Sequence, residues 1–289
     1  MYVIFTDTDT DMTPKEAEKY GYHLISMPYS IDGRTTYPYV DFDEFDPHAF
    51  YQQLRDGALP NTSAISEEQY IQYFEPFFAE GKDILYVHFS RAMSATFENM
   101  DRAVARLKEE YPERSFYTVD TKGISLVSLN IVKEVGDMYL AGRTPQDILV
   151  WAEEEVDRFA VYFFADDLKF FHHSGRVSGL SATMGTLLGI RPIIYMDQEG
   201  KMVSIGKEKG RRKAIDHLVS RVEELGDNIR DHRILIGAAD NQEIIDQLVE
   251  ELTRRLGPDL PIELADVNPT AGSHCGPDTM GICFHAVHR

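Results

Sequence analysis

Residues 84–89, Ile84-Leu85-Tyr86-Val87-His88-Phe89, make an apolar run of strand length, followed by a polar loop, Ser90-Arg91-Ala92-Met93. Beyond it the spacing changes. Phe97, Met100, Val104 and Leu107 fall on one helical stripe, with Glu98, Asp101, Arg102 and Lys108 off it. An unbroken apolar run reads as a buried strand, and apolar residues at period 3.6 read as an amphipathic helix. Ser94 is placed to cap that helix, its hydroxyl accepting from a backbone N–H one turn on. A strand feeding a capped helix aims N–H donors and a positive dipole end at one spot, which suits an anionic group such as a carboxylate.

The alternation repeats along the first half of the chain. Residues 2–6 read as a strand ending in Asp7-Thr8-Asp9-Thr10-Asp11, and Thr13-Pro14-Lys15-Glu16 opens a helix. Residues 24–31 are predicted as a second strand, Asp32-Gly33 as a hairpin turn and residues 34–40 as the return. A helix starts at Asp46-Pro47. Asn61-Thr62-Ser63-Ala64-Ile65 reads as a loop, and Ser66-Glu67-Glu68-Gln69 caps a helix burying Tyr70, Phe74 and Phe77. Residues 115–119 are predicted as a strand and 125–141 as a long helix. Thr144-Pro145-Gln146-Asp147 caps one more. This order argues for a doubly wound, mostly parallel sheet with a small hairpin insertion.

From Ala160 the pattern loosens, which places a domain boundary near residue 159. The expected division is an N-terminal α/β domain, 1–159, and a C-terminal mixed α/β domain, 160–289. In the second, residues 161–165, 192–196, 202–206, 233–238, 262–266 and 281–287 read as strands. Asp197-Gln198-Glu199-Gly200 is a hairpin turn, and 214–225 and 242–256 are helices. His274-Cys275-Gly276-Pro277 reads as a turn-rich loop before the last strand.

Charge and cysteine count narrow the function. The 289 residues carry a net charge of −19, which disfavours diffuse binding to nucleic acid or to an anionic membrane. No apolar run approaches the ~18 residues of a membrane span, so no stable membrane insertion is expected. The opening residues read as a strand with no basic region or cleavage site, and two cysteines are too few for a disulfide framework. A cytoplasmic protein with reduced thiols is expected.

Several constellations could carry chemistry. Asp7, Asp9 and Asp11 suggest a calcium loop, but Met12 stands where that loop needs glycine. They also resemble the string of a magnesium-dependent phosphatase of the haloacid dehalogenase type, with Asp7 or Asp9 as nucleophile and Asp166-Asp167 on a later strand. Against that, the spacing from the strand end is wrong for Asp9. Thr62, Ser63 and Ser94 are hydroxyls in loops that open helices, where capping alone is the ordinary role. Ser174-Gly175-Arg176 is a tight turn presenting a guanidinium. Cys275, Cys283, His285 and His288 fit no ordinary zinc spacing, and no metal or cofactor is expected. Lys207, Lys209, Arg211, Arg212 and Lys213 make a basic run in an acidic chain, either an exposed hairpin edge or a docking patch.

Together these segments resemble the DegV family of bacterial fatty-acid-binding proteins. The matching stretches are Phe5-Thr6-Asp7-Thr8, Thr62-Ser63 with Ser66, Ser90 to Thr96, and Val119-Asp120-Thr121-Lys122. Ser174-Gly175-Arg176-Val177-Ser178, Ile190-Arg191-Pro192 and His274-Cys275-Gly276-Pro277 follow in family order. The resemblance implies two domains enclosing one long-chain fatty acid in a tunnel between them. Its carboxyl would be held by Thr62 and Ser94, with Ser63, Thr96, Arg176 and His274 close by. Such proteins serve as the acyl-binding subunit of a fatty acid kinase. A separate ATP-dependent kinase protein phosphorylates the acid to an acyl phosphate for phospholipid synthesis, so the chain itself is not expected to be an enzyme. Met93, Met184 and Met280 are compatible with an acyl tunnel, though a plain core role is the default for each. Lys207, Lys209, Arg211 and Arg212 are candidates for partner docking. This chain departs from the family pattern at Arg91, Ala95, Ser174, Arg191 and Asp278. Arg91 either brings a cation near the expected head group or points outward, and Asp278 brings a new carboxylate near it.

Overall fold

The computed structural model describes residues 1–178 and 189–289. Met184 therefore lies outside the described residues. Strands Tyr2–Asp7, Tyr22–Ile25, Asp83–His88 and Phe116–Asp120 form a four-stranded parallel sheet. In it the first strand lies between the second and third, and the fourth is outermost. Such an order leaves a crevice between the carboxyl ends of Tyr2–Asp7 and Asp83–His88, where connections depart in opposite directions.

The stretch 24–31 is not one strand. Tyr22–Ile25 stays in the parallel sheet, while Tyr29–Ile31 joins a small antiparallel sheet with Arg34–Thr36 and Asn61–Thr62. Pro28 lies in the break and has no N–H to give to a ladder. Asp32 and Gly33 both have positive φ, 51° and 79°, as a two-residue hairpin turn requires. The return is shorter than expected, ending at Thr36, and Thr62 lies in a strand and not a loop.

The second sheet has seven strands and is mixed. Its order is Ile262–Asp266, Ile234–Ala238, Met280–His285, Phe159–Phe164, Ile190–Met196, Met202–Lys209 and Val177–Ser178. Only the two outermost pairings are parallel. The helix Leu126–Leu140 is buried along most of its length and packs against this sheet. Gly237 and Gly281 oppose each other in the ladder beneath it. A Cβ on Gly237 would lie 2.8 Å from Leu126, and one on Gly281 3.1 Å from Phe163. Two glycines thus let the helix settle close to the sheet.

Smaller differences from expectation are local. The helix Glu67–Ala79 has the capping box from Ser66 and Gln69 but buries Tyr70, Phe74 and Phe78, with Phe77 half-buried. Residues 169–174 form a short helix, ended by Gly175 at φ 64°. Residues 269–275 are helical as well. The helix Arg211–Leu225 begins three residues early and takes in Arg211 and Arg212. Among the described residues no helix is long and apolar enough to cross a membrane.

Candidate functional site

The loops that leave the crevice carry the acidic string on one side and Phe89–Ala95 on the other. Asp11 ties them to the rest of the chain. Its carboxyl accepts from the Ser125 hydroxyl at 2.5 Å, the Asn268 backbone N–H at 2.9 Å and the Asn268 side-chain amide at 2.6 Å. Ser125, at φ 57° and ψ −130°, precedes the helix Leu126–Leu140. Asn268 caps the helix Pro269–Cys275, accepting from the Ala271 N–H. One aspartate therefore fixes where two helices begin. The second of them carries His274, so that residue sits in the last turn of a helix and not in a loop.

His274 and Thr62 meet across the crevice. Thr62 Oγ1 lies 2.9 Å from His274 Nε2, and Thr62 is held by the pairing of its short strand with Tyr29. His274 Nδ1 is buried without a partner among the described residues. Burial, then the charges of Arg176 and His173, push the imidazole down to about 4, so it is neutral at physiological pH.

Ser94 differs from its expected place. The helix runs Thr96–Glu110 with Ala95 at its cap position and no side-chain cap on that residue. Ser94 still satisfies the first turn, because its Oγ accepts from the Thr96 N–H at 3.2 Å. Since that bond uses a lone pair, the Ser94 hydroxyl proton is left to donate elsewhere. Thr96 is buried and its Oγ1 lies 3.1 Å from the Tyr70 hydroxyl. Arg176 is exposed at the rim, with Nε donating to the Met93 carbonyl at 3.4 Å.

These residues line one cavity: Thr62, Ser63, Ser94, Thr96, Arg176 and His274. Sequence reasoning did not place Asp9 or Thr270 there, and both line it too. A second, apolar cavity adjoins it. Leu126, Val161, Phe163, Phe171, Met196 and Met202 form much of its wall. Met93, Ile124 and His274 line both spaces, so the two meet there. Cys275 faces the apolar space, its thiol pushed up to about 12 by burial. Met280 is wholly buried in the core on the sheet's other face.

The two charges new to the family pattern turn away from the cavity. Arg91 pairs with Asp101 and stacks over Phe97 at 5.5 Å. Asp278 accepts from the Asn241 amide at 2.6 Å and from Arg55 at 3.3 Å. Arg191 and Arg211 clamp Asp166, at 2.6 and 2.7 Å. Burial opposes its charge, but the two guanidiniums outweigh it and hold the carboxyl below the usual range. Arg211 is thus committed to Asp166, while Lys207, Lys209 and Arg212 are exposed.

With Asp7 as nucleophile, the phosphatase geometry does not form. Asp7 is fully buried, and its carboxyl accepts from Asp9 N–H at 3.0 Å, the Tyr86 hydroxyl at 2.9 Å and Phe89 N–H at 3.3 Å. A carboxylate so occupied is not placed to attack phosphorus. Asp166, the partner acid in that reading, is the one clamped by two arginines. Among the described residues no three His, Cys, Asp or Glu side chains are grouped to hold a metal ion.

Comparison with known proteins extends along the whole chain. A family model described as an uncharacterised protein of the DegV family matches residues 1–287. A DegV domain-containing protein of Clostridium perfringens is 30% identical over 283 residues, 98% of this chain and 97% of the relative. A stearic-acid-binding protein from Eubacterium ventriosum superposes with a TM-score of 0.87 at 19% identity, covering 99% of this chain and 98% of that one. A DegV family protein from Thermus thermophilus, described for its fatty acid binding, superposes with a TM-score of 0.85 at 23% identity over 99% of both chains. The structural likeness speaks for the fold, and the sequence match over residues 1–287 speaks for descent: this chain belongs to the DegV family.

Proposed function

We propose that the protein binds one long-chain fatty acid, with the acyl chain in the apolar cavity and the carboxylate among Thr62, Ser94 and His274. The observation that carries this is the meeting of a greasy space and a polar one at Met93, Ile124 and His274. The fatty acids bound by structural relatives support it. Burying about fifteen methylenes at ~0.8 kcal/mol each gives ~12 kcal/mol gross, before the cost of association. Hydrogen bonds to the carboxylate, at ~1.5–3 kcal/mol each, mainly offset its desolvation. The tail would set affinity and the hydroxyls would set orientation. With the imidazole proton on Nε2, His274 donates to Thr62 Oγ1, and the Thr62 hydroxyl proton turns to the ligand. Ser94 supplies a second donor, with Ser63, Thr96 and the rim guanidinium of Arg176 around them.

In this reading residues 1–159 and 160–289 are the two lobes around the acyl chain. The protein is a carrier and not an enzyme. It offers the carboxyl end to a separate ATP-dependent fatty acid kinase, which forms the acyl phosphate used in phospholipid synthesis, and Lys207, Lys209 and Arg212 are docking candidates for that kinase. Organic extraction of the purified protein followed by mass spectrometry is expected to give about one equivalent of fatty acid. Folded protein that yields a clean extract, and takes up no added palmitate, contradicts the proposal.

A further inference from the structure

Asp9 is a buried acid to which the proposed head-group site gives no role. It is 4% exposed and lines the polar cavity beside Thr62, Ser94, Thr270 and His274. Its Oδ1 has no hydrogen-bond partner among the described residues. The backbone around it is fixed: its N–H donates to Asp7 Oδ1, and its carbonyl accepts from Ser125 N–H at 2.8 Å and the Asn268 amide at 3.2 Å.

The neighbouring acids differ in what surrounds them. Asp7 and Asp11 each accept three hydrogen bonds from protein donors, an arrangement suited to a carboxylate. Thr270 lies beside the Asp9 carboxyl, but its hydroxyl donates to the Met27 carbonyl at 3.0 Å. Three buried negative charges within five residues repel one another, so the proton settles on the acid with the fewest donors. Burial lifts Asp7 and Asp11 to about 7. Burial, followed by the charge of Asp7, carries Asp9 well above the ordinary carboxylate range. The other titratable groups turned toward this cluster are the Tyr70 and Tyr86 phenols, Asp266 near Asp11, His274 across the cavity and Arg176 at its rim. Of these only Arg176 brings a positive charge near Asp9 at neutral pH, and it is exposed.

We propose that Asp9 is a fourth head-group residue: its neutral carboxyl donates from Oδ1 to the carboxylate of a bound fatty acid, so that two acids share one proton and one negative charge. No proton is taken from elsewhere, because the ligand enters as the anion and Asp9 keeps its proton as donor. This rests on the acyl-binding reading above. It accounts for how a site poor in buried cations can hold an anion, by supplying a third donor beside Thr62 and Ser94. It also forbids an ionised Asp9 in the loaded state.

The test is infrared difference spectroscopy of the delipidated protein before and after loading with carboxyl-13C palmitate, in H2O and D2O. A protonated-carboxyl stretch that shifts on loading, shifts in D2O and is missing in Asp9→Asn is expected, alongside an ionised 13C-carboxylate band from the ligand. Palmitate affinity of the variants is the second readout. Asp9→Asn keeps a donor and is expected to bind within a few-fold of wild type, whereas Asp9→Ala binds roughly tenfold or more weakly. Loading without any protonated-carboxyl band assignable to Asp9, or Asp9→Ala binding as well as wild type, overturns this inference and leaves acyl binding standing. Failure of the wild-type protein to take up palmitate overturns acyl binding itself.

Discussion

The polar and the apolar cavity are assembled on opposite principles. At the polar end, Thr62, Ser94 and His274 come from segments distant in sequence. Single hydrogen bonds and one aspartate, Asp11, hold those segments in place. At the apolar end, Leu126, Phe163, Met196 and Met202 are held by close packing over a sheet stripped to glycine at positions 237 and 281. Asp9 lines only the polar end, whereas the thiol at the apolar end, Cys275, is pushed up to about 12 by burial. A site divided in this way separates affinity from orientation, and each can be altered with little effect on the other.

The largest effect is expected from filling the apolar end. Met196→Trp takes the space of several methylenes. Displacing three of them, at ~0.8 kcal/mol each, weakens palmitate binding roughly fiftyfold. Overpacking costs ~1–3 kcal/mol of stability, so a melting curve belongs beside the titration. A variant that remains folded and still binds palmitate as tightly as wild type would show that the tail lies elsewhere.

Next come the hydroxyls. Thr62→Ala and Ser94→Ala each remove a donor to a charged group, worth ~1.5–3 kcal/mol. Each is expected to weaken palmitate binding about tenfold or more while hardly changing methyl palmitate binding, and to lower acyl-phosphate formation with a cognate kinase. Equal loss for acid and ester would remove these side chains from the head-group role.

A third test uses pH. His274 falls from 6.5 in the unfolded chain to about 4 in the fold, so between those values the unfolded state binds more protons. Its contribution to stability is present above pH 6.5 and lost as pH falls through about 4. Asp11 has the opposite sign. Its folded value near 7 stands above the unfolded 3.8, so its contribution is present below 3.8 and lost as pH rises through 7. Denaturant titrations of His274→Gln are expected to show a smaller acid-side loss and keep the neutral-side one. A variant that retains the full acid-side slope would assign that slope to another group.

The smallest effect on binding is expected from Lys207→Glu with Lys209→Glu. Both side chains are exposed and line neither cavity. Palmitate affinity should stay within about twofold, while acyl-phosphate formation with the kinase falls. Unchanged phosphorylation would remove these lysines from the docking face.

How far the sequence foretold this arrangement depends on what signals each element. The strand Asp83–His88 and the capped helices at Thr13, Ser66 and Thr144 carry their own local chemistry and are found where expected. The break at Pro28 had a local signal that an apolar run on both sides masked. The helix under His274 did too: Asn268-Pro269 is a cap and first-turn pair, obscured by Gly272 and Gly276. Gly272 is there because Tyr51 lies against it, with the hydroxyl 2.5 Å from where a Cβ would be. Such a contact joins residues 221 positions apart, and no local pattern reports it. The role of the acidic string was hidden for the same reason. Whether an aspartate is a ligand, a strap or a donor depends on partners such as Tyr86, Ser125 and Asn268, which only the fold brings together.

The most direct measurement is a crystal structure of the protein loaded with palmitate carrying bromine at its methyl end. The account predicts an anomalous peak in the apolar cavity among Phe163, Met196 and Met202, with carboxylate density within hydrogen-bond reach of Thr62 and Ser94. A bromine peak at the polar end, or bound lipid outside both cavities, would contradict it.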